Sequence, residues 1–336
     1  MSAPARYYSL LPAGDVRCEL CPRYCRLRAG RRGFCFVRQN NGGLLELTAY
    51  GHPSGLHADP VEKKPLFHFL PGSQVLSFGT AGCNLACEFC QNWELSTAQD
   101  FARMAVAAAP EEVARAAVQS GCASVAYTYN DPVVFAEYAI DTAAASRERG
   151  LANVAVTAGY INPEPRAEFF AAMDAANIDL KSFSPSFYRK LTGARLQPVL
   201  DTLEYVARET DVWLEVTTLL IPGYNDSDAE LGELSAWIAG HLGPEVPLHF
   251  TAFHPAHRMR GVARTPAATL ARARQIALSN GLEHVYTGNV RDPEGANTYC
   301  PGCGAMLIAR DWHAVTANRL NAGRCPDCGR QLAGVF

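Results

Sequence analysis

Of the twelve cysteines in this chain, all but Cys122 gather in three groups with spacings that suit metal binding. Cys83, Cys87 and Cys90 lie within the run GTAGCNLACEFCQNW at 79–93. Three thiolates on one short loop can converge on a single iron–sulfur cube and ligate three of its irons. The fourth iron then keeps an open position, as cofactor or substrate chemistry at a metal requires. A site closed by four thiolates is structural or passes electrons only. A zinc loop completed by a distant ligand, or inert core thiols, is the alternative reading of the same residues. Gly79 and Gly82 would let the backbone approach such a cluster closely.

The second group is Cys300, Cys303, Cys325 and Cys328, two CPxCG knuckles near the C-terminus. Four thiolates in this pattern predict a zinc ribbon with no open coordination position, and a rubredoxin-like iron is the alternative occupant. The third group is Cys18, Cys21, Cys25 and Cys35. Its spacing matches neither the bacterial nor the plant ferredoxin run, so zinc and an auxiliary Fe–S cluster both stay open. Cys122, alone in GCASVAY, reads as a buried structural thiol.

These groups must be positioned by a folded core, and 336 residues at 48% hydrophobic content can build one. A net charge of −3 gives no reason to expect a nucleic-acid or membrane partner. The N-terminal stretch lacks the pattern of a signal peptide, and no apolar run is long enough to span a bilayer. Clustered CxxC-type thiols without secretion signals favour metal binding in a reducing, cytoplasmic compartment.

Between the second and third cysteine groups in chain order, short apolar runs alternate with longer segments of helical period. The expected strands are 75–78, 124–129, 153–157, 178–181, 213–220 and 248–253, with a seventh candidate at 284–287. The expected helices are 110–120, 132–150, 165–176, 196–210, 228–242 and 266–281, several opening at Pro or an acidic residue and closing at Gly. About six such alternations read as an α/β fold with a parallel sheet, barrel or doubly wound. In a barrel the Cys83–Cys90 loop, directly after the first of these strands, would sit at the C-terminal rim where functional groups collect.

The CxxxCxxC spacing, with aromatic Phe89 before the last cysteine, resembles the signature of the radical S-adenosylmethionine (SAM) superfamily. The resemblance covers 75–290 and implies a partial (β/α)6 TIM-like barrel, a [4Fe–4S] cluster on Cys83, Cys87 and Cys90, and SAM bound at the open iron. One electron then cleaves the sulfonium and releases a 5′-deoxyadenosyl radical. An electron donor of the flavodoxin or ferredoxin type is implied with it. By position, YTYNDP at 127–132 corresponds to the segment that meets the methionine amine, with Asn130 and Asp131 replacing the usual Gly-Glu. Lys181, with Asp179 beside it, corresponds to a lysine that pairs with the methionine carboxylate. A lysine in an apolar strand is costly unless paired, although snorkelling at the strand end would also account for it. VTAGY at 156–160 resembles a Thr-Asn-Gly motif in which Ala158 replaces the Asn. His254 corresponds to a histidine near the adenosyl ribose, and a structural role is the other reading. Arg258, Arg260 and Arg264 would suit an anionic substrate or a solvated basic loop.

The order of the three modules resembles one branch, the AmmeMemoRadiSam system radical SAM proteins, related to pyruvate formate-lyase activating enzymes. The motifs that carry this are HPSGLHADPVEKKP at 52–65, CQN at 90–92, LIPGYND at 220–226, YTGNV at 286–290 and the terminal ribbon. The branch implies association with AMMECR1-like and MEMO-like proteins. It sets the domains at 1–50 (a four-cysteine metal-binding module), 51–295 (the radical SAM barrel) and 296–336 (the zinc-ribbon-like module). Hydrogen abstraction from an unidentified substrate is the leading expectation, and activation of a partner glycyl-radical enzyme the second. A non-catalytic metal-binding adaptor is the third, disfavoured by the full Cys triplet and Lys181.

Overall fold

The computed structural model describes residues 2–99 and 106–336. An eight-stranded sheet forms its centre, with strands neighbouring one another in sequence order: β1 (Ser54–Pro60), β2 (Gln74–Gly79), β3 (Ser124–Tyr127), β4 (Ala152–Thr157), β5 (Ala175–Asp179), β6 (Trp213–Leu220), β7 (Leu248–Ala252) and β8 (Val285–Gly288). From β2 to β8 every pairing is parallel, whereas β1 runs antiparallel to β2. Because β1 and β8 are the two edges of the sheet, the barrel is open. Six of the seven parallel strands lie where the sequence reading placed them, whereas β5 runs Ala175–Asp179 and shares only 178–179 with the expected 178–181. β1 is an addition: SGLHADP lacks apolar alternation and is shaped by its pairing partner rather than by its own pattern.

The parallel strands are short apolar runs because both of their faces are covered. β3 and β7 are buried at every position, and β2 is buried from Val75 onward. The crossovers are helices: α1 (Pro110–Gln119), α2 (Ala136–Arg147), α3 (Pro163–Ala171), α4 (Gln197–Glu209), α5 (Asp228–His241) and α6 (Ala267–Ser279). Local chemistry fixes several starts. Pro110 opens α1, where Glu112 accepts the Ala109 N–H at 2.7 Å, and the Ser227 hydroxyl accepts the Glu230 N–H at the head of α5. The helix expected at 165–176 instead runs Pro163–Ala171, because 175–179 is drawn into β5.

The N-terminal residues form two small antiparallel sheets, which pair Val16–Cys18 with Tyr8–Leu10 and Arg26–Leu27, and Leu44–Leu47 with Ala3–Pro4 and Arg38–Asn41. Their buried Val16, Cys18, Val37 and Leu45 share one apolar core with the barrel. A fully buried ion pair joins the two parts, with Arg38 Nη2 2.5 Å from Glu137 Oε2 on α2. The C-terminal residues form β9 (Thr298–Tyr299), β10 (Met306–Asp311) and β11 (Ala314–Asn318), which pack on a small core of their own. Among the described residues, no helix is long and apolar enough to cross a membrane.

Candidate active site

The loop after β2 carries Cys83, Cys87 and Cys90 and is held by backbone contacts on several sides. Asn130, just past β3, accepts the Thr80 N–H at 3.0 Å and donates to the Gly82 carbonyl at 2.6 Å. The N–H groups of Ala86 and Glu88 donate to the Thr192 and Leu191 carbonyls at 2.8 and 2.9 Å, and Arg258 N–H donates to the Glu88 carbonyl at 3.0 Å. Arg23 of the N-terminal module donates from Nε to the Asn84 carbonyl and from Nη2 to the Gly193 carbonyl. Gly82 has φ +82°, and a Cβ there would overlap the Cys35 carbonyl. Its lack of a side chain therefore lets the loop pack on the N-terminal module, a use the sequence reading did not foresee.

Leu85 N–H donates to Cys83 Sγ at 3.4 Å, and Cys90 Sγ lies 3.3 Å from Ser96 Oγ. Burial pushes the Cys87 thiol up to about 12, against the pull of the Lys181 cation. Burial, and then the Asp131 carboxylate, also push Cys83 up. Thiols in such surroundings stay protonated unless a metal claims them. Lys181 lies just past β5 rather than within it, with Nζ 2.8 Å from Asp179 Oδ2. Burial would discharge it, but the Asp179 carboxylate outweighs burial and holds it above the usual lysine range. The LIPGYND segment steadies this corner: Asn225 Nδ2 donates to the Lys181 carbonyl at 2.8 Å and to the Leu219 carbonyl at 2.9 Å.

Asp131 is buried, and Oδ1 accepts from Thr157 Oγ1 at 2.7 Å and from Val133 N–H at 3.2 Å, while Oδ2 has no partner among the described residues. Burial raises it to about 6, with those hydrogen bonds and Lys181 opposing. Thr157, whose neighbour Ala158 replaces an expected Asn, thus contributes its hydroxyl to Asp131.

A cavity of about 350 Å³ opens at the C-terminal ends of the parallel strands and runs down into the barrel. Cys87, Phe89, Cys90, Asp179 and Lys181 line one side, and Thr217, His249, Thr251, Thr287 and Asn289 line the other. Glu62 and Lys63 from the segment after β1 complete the wall, together with His313 between β10 and β11. Asn130, Asp131, His254 and the three arginines of 258–264 are not among the lining residues. His254 is half-buried just beyond β7, and Arg264 donates to the Asn289 carbonyl at 2.8 Å.

The sequence reading missed His249. Its Nε2 lies 2.6 Å from Glu215 Oε2, and both side chains are buried. Glu215 also accepts the Phe67 and His68 N–H groups at 3.0 and 2.8 Å and Trp213 Nε1–H at 3.0 Å. Burial would raise this carboxyl, but the His249 hydrogen bond and charge and the other donors hold it low. A Glu inside the buried strand WLEVTTLL was the available signal, since such a charge persists only when paired.

Among the described residues, Cys300, Cys303, Cys325 and Cys328 are the one group of three or more potential ligands whose atoms all lie within 4.8 Å of one another. The sulfur pairs Cys300–Cys328 and Cys303–Cys325 are 3.5 and 3.7 Å apart. One tetrahedral ion with Zn–S of ~2.3 Å puts its sulfurs about 3.8 Å apart, so this group suits a single metal ion. The sulfurs of Cys83, Cys87 and Cys90 do not all lie within 4.8 Å of one another.

An open parallel α/β barrel thus carries a three-cysteine loop after its first parallel strand, beside a cavity at the strand ends. Residues 78–234 match the family model of the Radical SAM superfamily. An uncharacterized protein of Methanocaldococcus jannaschii, MJ0808, is 42% identical over 332 residues, covering 98% of both chains. The fold is similar to a radical SAM methyltransferase from Sphaerobacter thermophilus (TM-score 0.52, 18% identity, 71% of each chain). It is also similar to Streptococcus suis SuiB bound to S-adenosylmethionine (TM-score 0.52, 15% identity, 72% of this chain and 56% of that one). The chain belongs to the Radical SAM superfamily and is an enzyme.

Proposed function

We propose that Cys83, Cys87 and Cys90 hold a [4Fe–4S] cluster and that Lys181, Asp179, Phe89 and Asp131 receive SAM beside it. The observation that carries this is the shared cavity wall: Cys87, Phe89 and Cys90 face the same space as Asp179 and Lys181. Cluster and SAM together supply one-electron cleavage of the sulfonium, yielding the 5′-deoxyadenosyl radical that abstracts hydrogen from the substrate. The residues fit these groups. Lys181 is a half-buried cation on the cavity wall for the methionine carboxylate, and Oδ2 of Asp131, without a partner among the described residues, is an acceptor for the amine. Asn130 acts by fixing the loop rather than by touching the cofactor. His254 stays a candidate for the ribose only through its position after β7.

The opposite wall proposes the substrate class. Thr217, His249, Thr251, Thr287 and Asn289 offer hydroxyl, imidazole and amide groups, and the buried Thr217 Oγ1 has no partner. A small polar molecule suits this chamber, because Glu62, Lys63 and His313 wall it toward the ribbon. Activation of a glycyl-radical enzyme is the second expectation, and it needs a protein loop to enter the same chamber. Association with AMMECR1-like and MEMO-like proteins belongs to this proposal on the strength of the sequence motifs alone, as do a flavodoxin or ferredoxin donor and a zinc ion on the ribbon.

Anaerobic reconstitution followed by assay of 5′-deoxyadenosine tests the reading. The loaded enzyme is expected to form it with a strong reductant, and Cys87→Ala to form none. A fully loaded enzyme that forms none, or continued turnover by Cys87→Ala, overturns the assignment. Adding candidate metabolites or glycine-bearing peptides with SAM deuterated at the 5′ position then separates the two substrate classes by which of them accepts deuterium.

A further inference from the structure

We infer that the N-terminal thiols Cys18, Cys21, Cys25 and Cys35 hold a second [4Fe–4S] cluster, placed to pass electrons to the cluster on the 83–90 loop. Sulfur spacing carries the choice between zinc and a cube. The four ribbon sulfurs all lie within 4.8 Å of one another, whereas no three of the N-terminal sulfurs do. In this they match the 83–90 loop, the site whose sequence signature calls for a cube. A cube binds each thiolate through a different iron and so spreads the sulfurs beyond the roughly 3.8 Å edge set by a single zinc with Zn–S of ~2.3 Å. The thiols nonetheless share one enclosure. Cys18, Cys21 and Cys35 are buried, Cys25 is half-buried, none is in a disulfide, and a Cβ on Gly33 would sit 3.8 Å from Cys35 Sγ and 3.9 Å from Cys25 Sγ.

The surroundings suit an anionic cluster. Arg38, 1% exposed, is a cation whose charge acts on Cys18 and Cys35, and its buried Nε–H has no acceptor among the described residues. A cluster sulfide or thiolate is the missing acceptor. With four thiolates supplied, no iron is left open for substrate, and electron transfer is the remaining chemistry. The direction follows from contact: the Cys35 carbonyl packs on Gly82, the residue before Cys83, and Arg23 ties the module to Asn84. A low-potential flavodoxin- or ferredoxin-type donor gives one electron to the N-terminal cluster, and the loop cluster receives that electron.

The purpose of this relay rests on the function proposed above, but the presence of the second cluster does not. Full-length protein, reconstituted anaerobically with iron, sulfide and zinc, is expected to hold about eight irons and one zinc. The Cys83→Ala/Cys87→Ala/Cys90→Ala variant, with its N-terminal module intact, should keep roughly four irons and show a cluster EPR signal on reduction. About two zincs and no iron in this variant overturn the inference and leave the proposed function standing. About four irons in both proteins would instead sustain the inference and remove the cluster from the loop. For the relay, Cys18→Ser/Cys21→Ser should lower the ratio of flavodoxin-supported to dithionite-supported 5′-deoxyadenosine formation by an order of magnitude. An unchanged ratio in a variant that has lost the N-terminal iron overturns the relay.

Discussion

Lys181 keeps its charge in a place where burial alone would remove it, because the Asp179 carboxylate holds the proton on. A salt bridge within the protein leaves other donor positions of the ammonium free for a carboxylate. Lys181→Met is therefore expected to weaken SAM binding to the reconstituted enzyme by roughly ten- to a hundredfold, the equivalent of about 1.5–3 kcal/mol for a hydrogen bond to a charged group. Equilibrium binding of SAM checks it. Asn130 acts differently, through two backbone hydrogen bonds that shape the loop at Thr80 and Gly82. Asn130→Ala leaves both buried groups unsatisfied, at about 1–3 kcal/mol each. Its expected signature is reduced iron occupancy after reconstitution, with SAM affinity intact in whatever fraction is loaded. The sequence marked both positions, but the type of contact that Asn130 makes was legible only in three dimensions.

At the scale of elements, β6 and β7, beside the edge strand β8, carry a buried polar pair between them. Glu215 accepts from His249, Phe67, His68 and Trp213, and so ties two strands to the segment between β1 and β2. Glu215→Ala removes one acceptor from four donors and should destabilise the protein by about 3–5 kcal/mol, as breaking a buried ion pair does. The midpoint of chemical denaturation of the metal-loaded protein reports this. His249 faces the cavity as well as Glu215, so His249→Gln is expected to alter substrate turnover while leaving substrate-free cleavage of SAM close to the parent rate. Comparison of coupled and uncoupled 5′-deoxyadenosine formation separates the two effects. The strands themselves were readable because each is a short apolar run buried on both faces. β1 was not, since its residues are half exposed and its extended form depends on pairing with β2.

At the scale of the whole molecule, the C-terminal module is part of the barrel's wall. Arg310 of β10 donates from Nη2 to the Phe67 carbonyl at 2.8 Å and from Nη1 to Thr298 Oγ1 at 2.9 Å, with buried Glu62 3.6 Å away. Removing the metal from the four ribbon thiols should therefore loosen more than the ribbon. Amide exchange at 62–68 is expected to rise on chelation, and unchanged protection there would show that the module docks independently of its metal. His68 makes the same junction sensitive to acid. It lies 2.8 Å from the Ala333 carbonyl and 2.6 Å from the Tyr286 hydroxyl, and burial lowers it to about 4 despite the pull of Glu215. The unfolded chain takes up this proton near pH 6.5, above the folded value. Stability from this group is thus fully present above ~6.5 and is lost as pH falls toward ~4, by up to about 3 kcal/mol. Denaturation midpoints across this range should fall with pH, with a shallower slope in His68→Gln.

The sequence by itself determined the class of chemistry and the number of repeating units. Thiol spacing restricts which metals fit, and apolar runs separated by helical periods permit few architectures. Tertiary structure decided what surrounds the chemistry. The pairing of Glu215 with His249, the partnerless oxygen of Asp131 and the insertion of Arg310 beneath the barrel join residues far apart in the chain. The separation of the N-terminal sulfurs, no three of which all lie within 4.8 Å of one another, was likewise hidden. Spacing along a chain fixes which ligands are present. The distances among them depend on how loops pack, here on Gly82 allowing the Cys35 carbonyl to lie against the loop that carries Cys83.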